Sequence, residues 1–377
     1  MNPCNIWIGS QLGILKGVQL KDNSTSSYGD CKASDNPPEI LSMCWTDSYE
    51  KEICVGFQSG SIKHFNTDTC SYTTNWNEFV GKGQFTGLHH HNGCYIGCFD
   101  SGKLCYNSEN SNLTEINTGG QTSRMTVNPL NPMLVATGGK QNNLKLWDLS
   151  KPKEAVFKAK NMPNDSLGLQ VPVWITNIAI LPCNHQQPEI ITVSKYHKIQ
   201  VYDPRAQRRP VSVTELGNSP LLSLALEPEQ RRVIVGDNKG TMTLFDLKSK
   251  RPVGNFKGCT GSIRSIACHP SENAIAACGL DRHLRVFDLE SRQPRYKFYL
   301  KSKLNSLLFH SQSFKKSKRE RGTTAENDDN DSELSDVWDE LEVIEDSLPQ
   351  KSKLPTFSQK NDAKSQKKED KVKQLGK

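Results

Sequence analysis

The residues best suited by type and spacing to do chemistry are His89, His90, His91, Cys94 and Cys98 in "LHHHNGCYIGC". Imidazole and thiol groups this close could hold zinc, which takes four nitrogen or sulfur ligands in a tetrahedron. No second CxxC or HxxxH completes such a set, and Cys94 and Cys98 fit one face of a strand, so packing is the expected role. Of the twelve cysteines, Cys44, Cys54, Cys268 and Cys278 also fall inside apolar strand patterns and read as small core residues of a reducing compartment. The chain has no Gly-x-Ser-x-Gly, phosphate loop or HExxH, and no paired carboxylates outside the charged tail from Ser311. Neither catalysis, a cofactor nor a small-molecule substrate is expected.

A second set of acidic residues is periodic. Asp148, Asp203, Asp246 and Asp288 each close an apolar run, a polar turn and an alternating stretch, as in "ATGGKQNNLKLWDL" and "VGDNKGTMTLFDL". Allowing Gln or Asn adds Gln19, Asn66 and Asn107, at intervals of 47, 41, 41, 55, 43 and 42 residues. A catalytic residue has no reason to recur, whereas a side chain capping the turn after a strand does. Asp281 occupies the hairpin turn of "GLDRHLRVFDL", which resembles a WD repeat. That resemblance implies a buried aspartate bonded to a histidine of the preceding loop, where this chain has Cys259; since a thiol is a poor substitute, Asp281, if buried, is expected to find a backbone or solvent partner.

The elements that carry these residues follow from the period. Units of this length match four-stranded blades, and seven of them make an all-β propeller. "PLLSLAL", "SIRSIAC" and "VWITNIAIL" read as innermost strands, and Gly13, Gly60, Gly102 and Gly240, with Asn142 and Asn143, stand where tight hairpins need positive φ. The chain opens without a first strand and ends its repeats on one, so Leu304–Phe309 is expected to pair beside Ile6–Gly9 and close the ring. Two insertions break the spacing. Lys21–Glu39 reads as a flexible loop, and Lys160–Pro172 as a loop whose Leu167, Leu169 and Val171 pack.

The expected division is a propeller over 1–310 and a disordered charged tail over 311–377. The tail is basic in "KKSKRER", with Lys315, Lys316, Lys318, Arg319 and Arg321 forming a candidate nuclear import signal. Residues 326–346 then hold eleven acidic and no basic side chains, and Leu334, Trp338 and Leu341 within them have the spacing of a helix that folds into a partner's groove. The tail balances 14 basic against 15 acidic residues, leaving +8 of the net +7 on the propeller. Arg205, Arg208, Arg209, Arg231, Arg232, Arg264, Arg282 and Arg285, with Arg292 and Arg295, cluster at expected loops and are candidates for contact with RNA phosphates or acidic proteins. No apolar run is long enough to cross a bilayer, and no secretory leader is read.

The stretches "VATGGKQNNLKLWDL", "VFKAKNMPNDSLGLQVPVWITNIAILP", "YDPRAQRRPV" and "AACGLDRHLRVFDLESRQPRYKFYLKSKLNSLLF" resemble the WD repeat-containing protein 74 family, over roughly Ile6–Phe309. The insertion at Lys160–Pro172 is more specific to that resemblance than any single repeat. The resemblance implies a non-catalytic seven-bladed WD-repeat β-propeller acting in large (60S) ribosomal subunit assembly and pre-rRNA processing, in the nucleolus and nucleus. Implied partners are pre-60S particles with their rRNA, other assembly factors, an AAA-type ATPase, and RNA helicase and exosome machinery. A substrate receptor or adaptor of a ubiquitin ligase or signalling complex is the alternative; a propeller hydrolase lacks a convergent acid-base set.

Overall fold

The computed structural model describes residues 4–29, 37–77, 79–107, 113–182, 187–228 and 231–313. Leu334, Trp338, Leu341 and the import-signal residues 315–321 lie outside them. The described residues form seven four-stranded antiparallel sheets and no helix, the arrangement of a seven-bladed β-propeller. From the inner to the outer strand, blade 2 is Ile40–Trp45, Glu52–Phe57, Ile62–Asn66 and Ser71–Trp76; blade 3 is Phe85–His91, Cys94–Phe99, Lys103–Asn107 and Thr114–Asn117. Blade 4 is Arg124–Asn128, Asn131–Gly139, Asn142–Asp148 and Phe157–Lys158; blade 5 is Ile175–Ile180, Ile190–Ser194, Lys198–Tyr202 and Ser212–Glu215. Blade 6 is Leu221–Leu226, Arg232–Asp237, Met242–Asp246 and Arg251–Phe256; blade 7 is Ile263–Cys268, Ala274–Gly279, His283–Asp288 and Pro294–Tyr299.

Blade 1 joins the two ends of the repeat array. Its inner strand is Leu304–Phe309, followed outward by Ile6–Ser10, Leu15–Gln19 and Ser24–Tyr28. The pairing runs from Ile6 opposite Phe309 to Ser10 opposite Leu304, with a bulge at Gly9/Ser10. Outside the ladder, His310 N donates to Asn5 O (2.9 Å) and Trp45 Nε1 of blade 2 donates to Phe309 O (2.9 Å), tying the closing strand to its neighbours. The close approach of blades 1 and 2 is permitted by Gly9, where a Cβ would lie 2.4 Å from Ile40 Cγ2 and from Ser306 Oγ. Gly236 does the same between blades 6 and 7, its missing Cβ leaving room for Ile263.

The core is divided among the blade interfaces. Ile6, Ile8, Leu304 and Phe309 pack on Ala276, Leu284 and Val286 between blades 1 and 7, and Trp7 and Leu15 pack on Ile40, Ile53 and Phe65 between blades 1 and 2. Five further clusters fill the interfaces from 2/3 to 6/7, so each blade buries one face on each neighbour. The periodic acidic and amide residues end the third strands as expected, except Asp203, which follows directly on its strand. Asn66, Asp148, Asp246 and Asp288 accept backbone N–H groups of the turns that follow, for example from Ser150 N (2.9 Å) and Ser291 N (2.8 Å).

Three expectations are corrected. The left-handed position in the blade 4 hairpin is Gln141 (φ 53°), one residue before the expected Asn142 and Asn143, which already belong to the strand. Lys21–Glu39 is not simply a loop, because Ser24–Tyr28 pairs with Leu15–Gln19 as the outer strand of blade 1; its polar composition suits an edge strand that is exposed along most of its length. Leu167 and Leu169 do not pack: they are 80% and 62% exposed. The turn that carries them is closed locally by Asp165, which lifts the chain off the blades.

Closure by a strand from the far end makes Leu304, which is fully buried, a site of global stability. Leu304→Ala should lower the unfolding free energy by about 2–5 kcal/mol, and truncation before Leu304 should abolish the single cooperative melt. Calorimetry that found the truncated chain melting like the parent would refute the closure.

Candidate partner-binding surface

Cys94 and Cys98 lie in the interface of blades 3 and 4, and burial pushes the Cys98 thiol up to about 12, which keeps it protonated and a poor ligand. His89 is held down to about 4 by burial and by the neighbouring His91 and His90. Among the described residues no group of three or more His, Cys, Asp or Glu side chains is placed to hold a metal ion. His90 instead turns to blade 2, its Nδ1 lying 3.1 Å from Thr46 O.

Sequence reasoning missed a half-buried polar chain next to it. Glu52 Oε2 lies 3.0 Å from His64 Nδ1, and His64 Nε2 lies 2.8 Å from Tyr95 OH. Thr46 and Thr73 also donate to the Glu52 carboxylate. Burial raises the Glu52 pKa, but these hydrogen bonds outweigh it and hold the carboxyl below its usual range. Such an acid–imidazole–phenol chain has the ingredients of a proton relay. Here it links blade 2 to blade 3, with Tyr95 stacked on Trp76 at 4.7 Å. The pairing of Glu52 opposite Asn66 and Cys54 opposite His64 brings the first two members together, and the packing of blade 3 on blade 2 adds Tyr95, which no local spacing signals.

The eight candidate arginines do not form one patch. Arg205 grips Asp203 with Nε and Nη2, both at 3.0 Å, and Arg231 pairs with Glu189 of the same neighbourhood. Arg232 lies on a strand rather than a loop and makes a two-pronged pair with the buried Glu227 at 2.5 and 2.6 Å. Arg208 and Arg209 are exposed, and each uses Nε on a backbone carbonyl, Lys158 O at 2.8 Å and Asn161 O at 3.2 Å. Arg264 and Arg282 are exposed in blade 7, at the end of its strands where Ile263 pairs with Gly279. Arg282 holds the left-handed hairpin position (φ 64°).

Arg285 is withdrawn from the surface set. It lies on His283–Asp288 with only 6% of its side chain exposed, and its Nη1 pairs with Asp281 Oδ2. Asp281 Oδ1 also accepts the His283 N–H at 3.2 Å. The partner that Cys259 cannot supply is thus an arginine four residues further along the same hairpin, and not backbone and solvent alone. Of the eight, Arg208, Arg209, Arg264 and Arg282 remain exposed with no carboxylate partner among the described residues.

Two outcomes follow from these environments. Arg285→Met strands a nearly buried carboxylate and should cost about 3–5 kcal/mol in urea denaturation, with Asp281→Asn in the same chain restoring part of it; a single variant as stable as the parent would contradict the pairing. His89 stays neutral when folded down to about 4, while its ordinary value is 6.5, so its contribution is full above pH 6.5 and is lost as pH falls toward 4. His89→Gln should flatten this acid limb of the stability curve, and an unchanged slope there would refute the assignment.

Comparison with known proteins places this geometry. A family described as "WD domain, G-beta repeat" matches residues 250–288, which are the outer strand of blade 6 and three strands of blade 7. The sequence repeat is therefore offset by one strand from the blade. The chain is 36% identical over 366 residues to WD repeat-containing protein 74 of Bos taurus, covering 94% of this chain and 92% of that protein. It is 38% identical over 312 residues to the Homo sapiens protein of the same name, covering 81% and 80%. Ribosome biogenesis protein nsa1 of Schizosaccharomyces pombe is 25% identical over 387 residues, covering 91% and 97%. With this identity sustained along almost the whole of both chains, the chain belongs to the WD repeat-containing protein 74 family.

Proposed function

We propose that the chain is a non-catalytic scaffold of ribosome biogenesis, acting in assembly of the large (60S) subunit and pre-rRNA processing in the nucleolus and nucleus. One observation carries the reading: the fission-yeast relative named as a ribosome biogenesis protein aligns with 91% of this chain and 97% of itself, so the likeness spans the ring and not one repeat. The chemistry agrees with it. A ring whose strands are consumed in mutual packing offers its edges and loops for binding, and residues 1–310 carry a net +8. Exposed cations without carboxylate partners suit rRNA phosphates or acidic protein surfaces.

In this reading Arg208, Arg209, Arg264 and Arg282 contact the pre-60S particle, and Arg205, Arg231 and Arg232 contribute charge from within ion pairs. Leu334, Trp338 and Leu341 supply a docking segment for mobile factors, and Lys315, Lys316, Lys318, Arg319 and Arg321 an import signal. An AAA-type ATPase and RNA helicase or exosome machinery are the partners that the family resemblance suggests.

Sedimentation tests the proposal. The full chain should co-migrate with precursor large subunits and leave them on RNase treatment, and Arg264→Glu with Arg282→Glu should lower that association most at moderate salt. Migration with a ubiquitin ligase, free of precursor particles, would overturn it in favour of an adaptor.

A further inference from the structure

Leu167 and Leu169 are the two most exposed leucines among the described residues, at 80% and 62%. The turn that presents them is held on every side. Asp165 Oδ1 accepts the N–H groups of Leu167 (2.9 Å) and Leu169 (2.8 Å), Asp165 N donates to Leu169 O (3.0 Å), and Gly168 N donates to Asp165 O (3.0 Å). Asn164 Nδ2 donates to Gly168 O (2.9 Å), and lower down Asn161 Nδ2 donates to Val171 O (2.7 Å). Gly168 takes the left-handed conformation (φ 76°) with no atom within 4 Å of where a Cβ would stand. The root is fastened to blade 5: Lys160 N donates to Arg208 O (2.9 Å), and the Nε groups of Arg208 and Arg209 donate back to Lys158 O and Asn161 O.

Exposed leucines on a wandering loop would need no explanation. Here the backbone is fixed in a shape that keeps both side chains in water, so the ordering entropy of a contact is already largely spent in folding. Cations gather at the root: Lys158, Lys160, Arg208 and Arg209 are all exposed, and none is in an ion pair among the described residues, although Glu115 and Glu154 line a cavity on the far side of Lys158. The loop's carboxylate, Asp165, is exposed, and its Oδ1 is engaged by two N–H groups of the turn. Nucleic acid presents flat bases and phosphates, which aromatic and guanidinium groups read, whereas aliphatic branches find their match in an apolar protein pocket.

We propose that the Asp165–Leu169 turn is a docking knob: Leu167 and Leu169 enter an apolar pocket of a partner protein whose rim is acidic. Arg208 and Arg209 are positioning residues that fix the knob's root while their charge faces the rim. The inference deepens the scaffold reading by naming the class of partner, and rests on it only for where that partner is met.

The test is photo-cross-linking in growing cells from Leu167→p-benzoylphenylalanine in the full chain. The expected result is one RNase-resistant adduct to a single protein, with a cross-linked peptide in which apolar residues adjoin Asp or Glu. Adding Leu169→Asp should reduce that adduct at least about tenfold, whereas Leu169→Met retains it; melting should be unchanged in both, since the side chain is exposed. An RNase-sensitive adduct, an adduct to a second copy of this chain, an adduct indifferent to Leu169→Asp, or no adduct would each overturn the knob. Sedimentation of the same samples separates the two readings: the adduct in particle-free fractions leaves docking standing and rejects ribosome assembly, and particle association without an adduct does the reverse.

Discussion

A small sheet that is apolar on both faces cannot exist alone in water, and this constraint governs the molecule. Every blade here is such a sheet. Its second and third strands send side chains alternately to the blade before and the blade after, so each apolar cluster belongs to two blades at once. An open array would leave two wet faces at its ends. Pairing Leu304–Phe309 beside Ile6–Ser10 removes both, and the inner strand of the first blade is thereby supplied by the last segment of the repeats. Stability is accordingly a property of the circle.

That constraint explains what could be read from residues alone. The turn after each third strand needs a side chain that caps backbone N–H groups, so Asp148, Asp246 and Asp288 mark the ends of third strands wherever they stand. The one-strand offset between repeat and blade is likewise visible in the chain's missing first strand. Legibility failed where a short polar stretch could be strand or loop. Ser24–Tyr28 has no apolar alternation because both its faces are largely solvated, and only its ladder with Leu15–Gln19 identifies it. The glycines at 9 and 236 were equally silent, since what they make room for is a side chain of the next blade.

Charge was the least legible layer. Arginines that look idle along the chain acquire partners once the sheets form: Arg231 meets Glu189 from another blade, and Arg285 meets Asp281 across its own hairpin. Burial decides the consequence. Arg285 and Asp281 are both shielded, so their pairing is a condition of folding, whereas Arg231 is 60% exposed and its pair is screened and readily exchanged for another anion. The surface charge open to a partner is therefore smaller, and more localised, than a count of arginines suggests.

Where such a fold can accommodate a new surface follows from the same packing. Inner strands touch two neighbouring blades, but an outer strand borders solvent, so shortening it removes little apolar contact. Blade 4 takes this course. Its outer strand is two residues long, yet Phe157 and Ala159 still fill the interface with blade 5. The chain freed from the ladder becomes the loop after Lys160, whose backbone groups are satisfied by Asp165, Asn164 and Asn161 instead of by a neighbouring strand. The carbonyls of Lys158, at the strand's end, and of Asn161, just beyond it, accept from Arg208 and Arg209, which bind the loop to the next blade. In place of a longer edge stands an ordered projection with two leucines at its tip; the wheel keeps its core, and the rim gains a shape that no other blade repeats among the described residues.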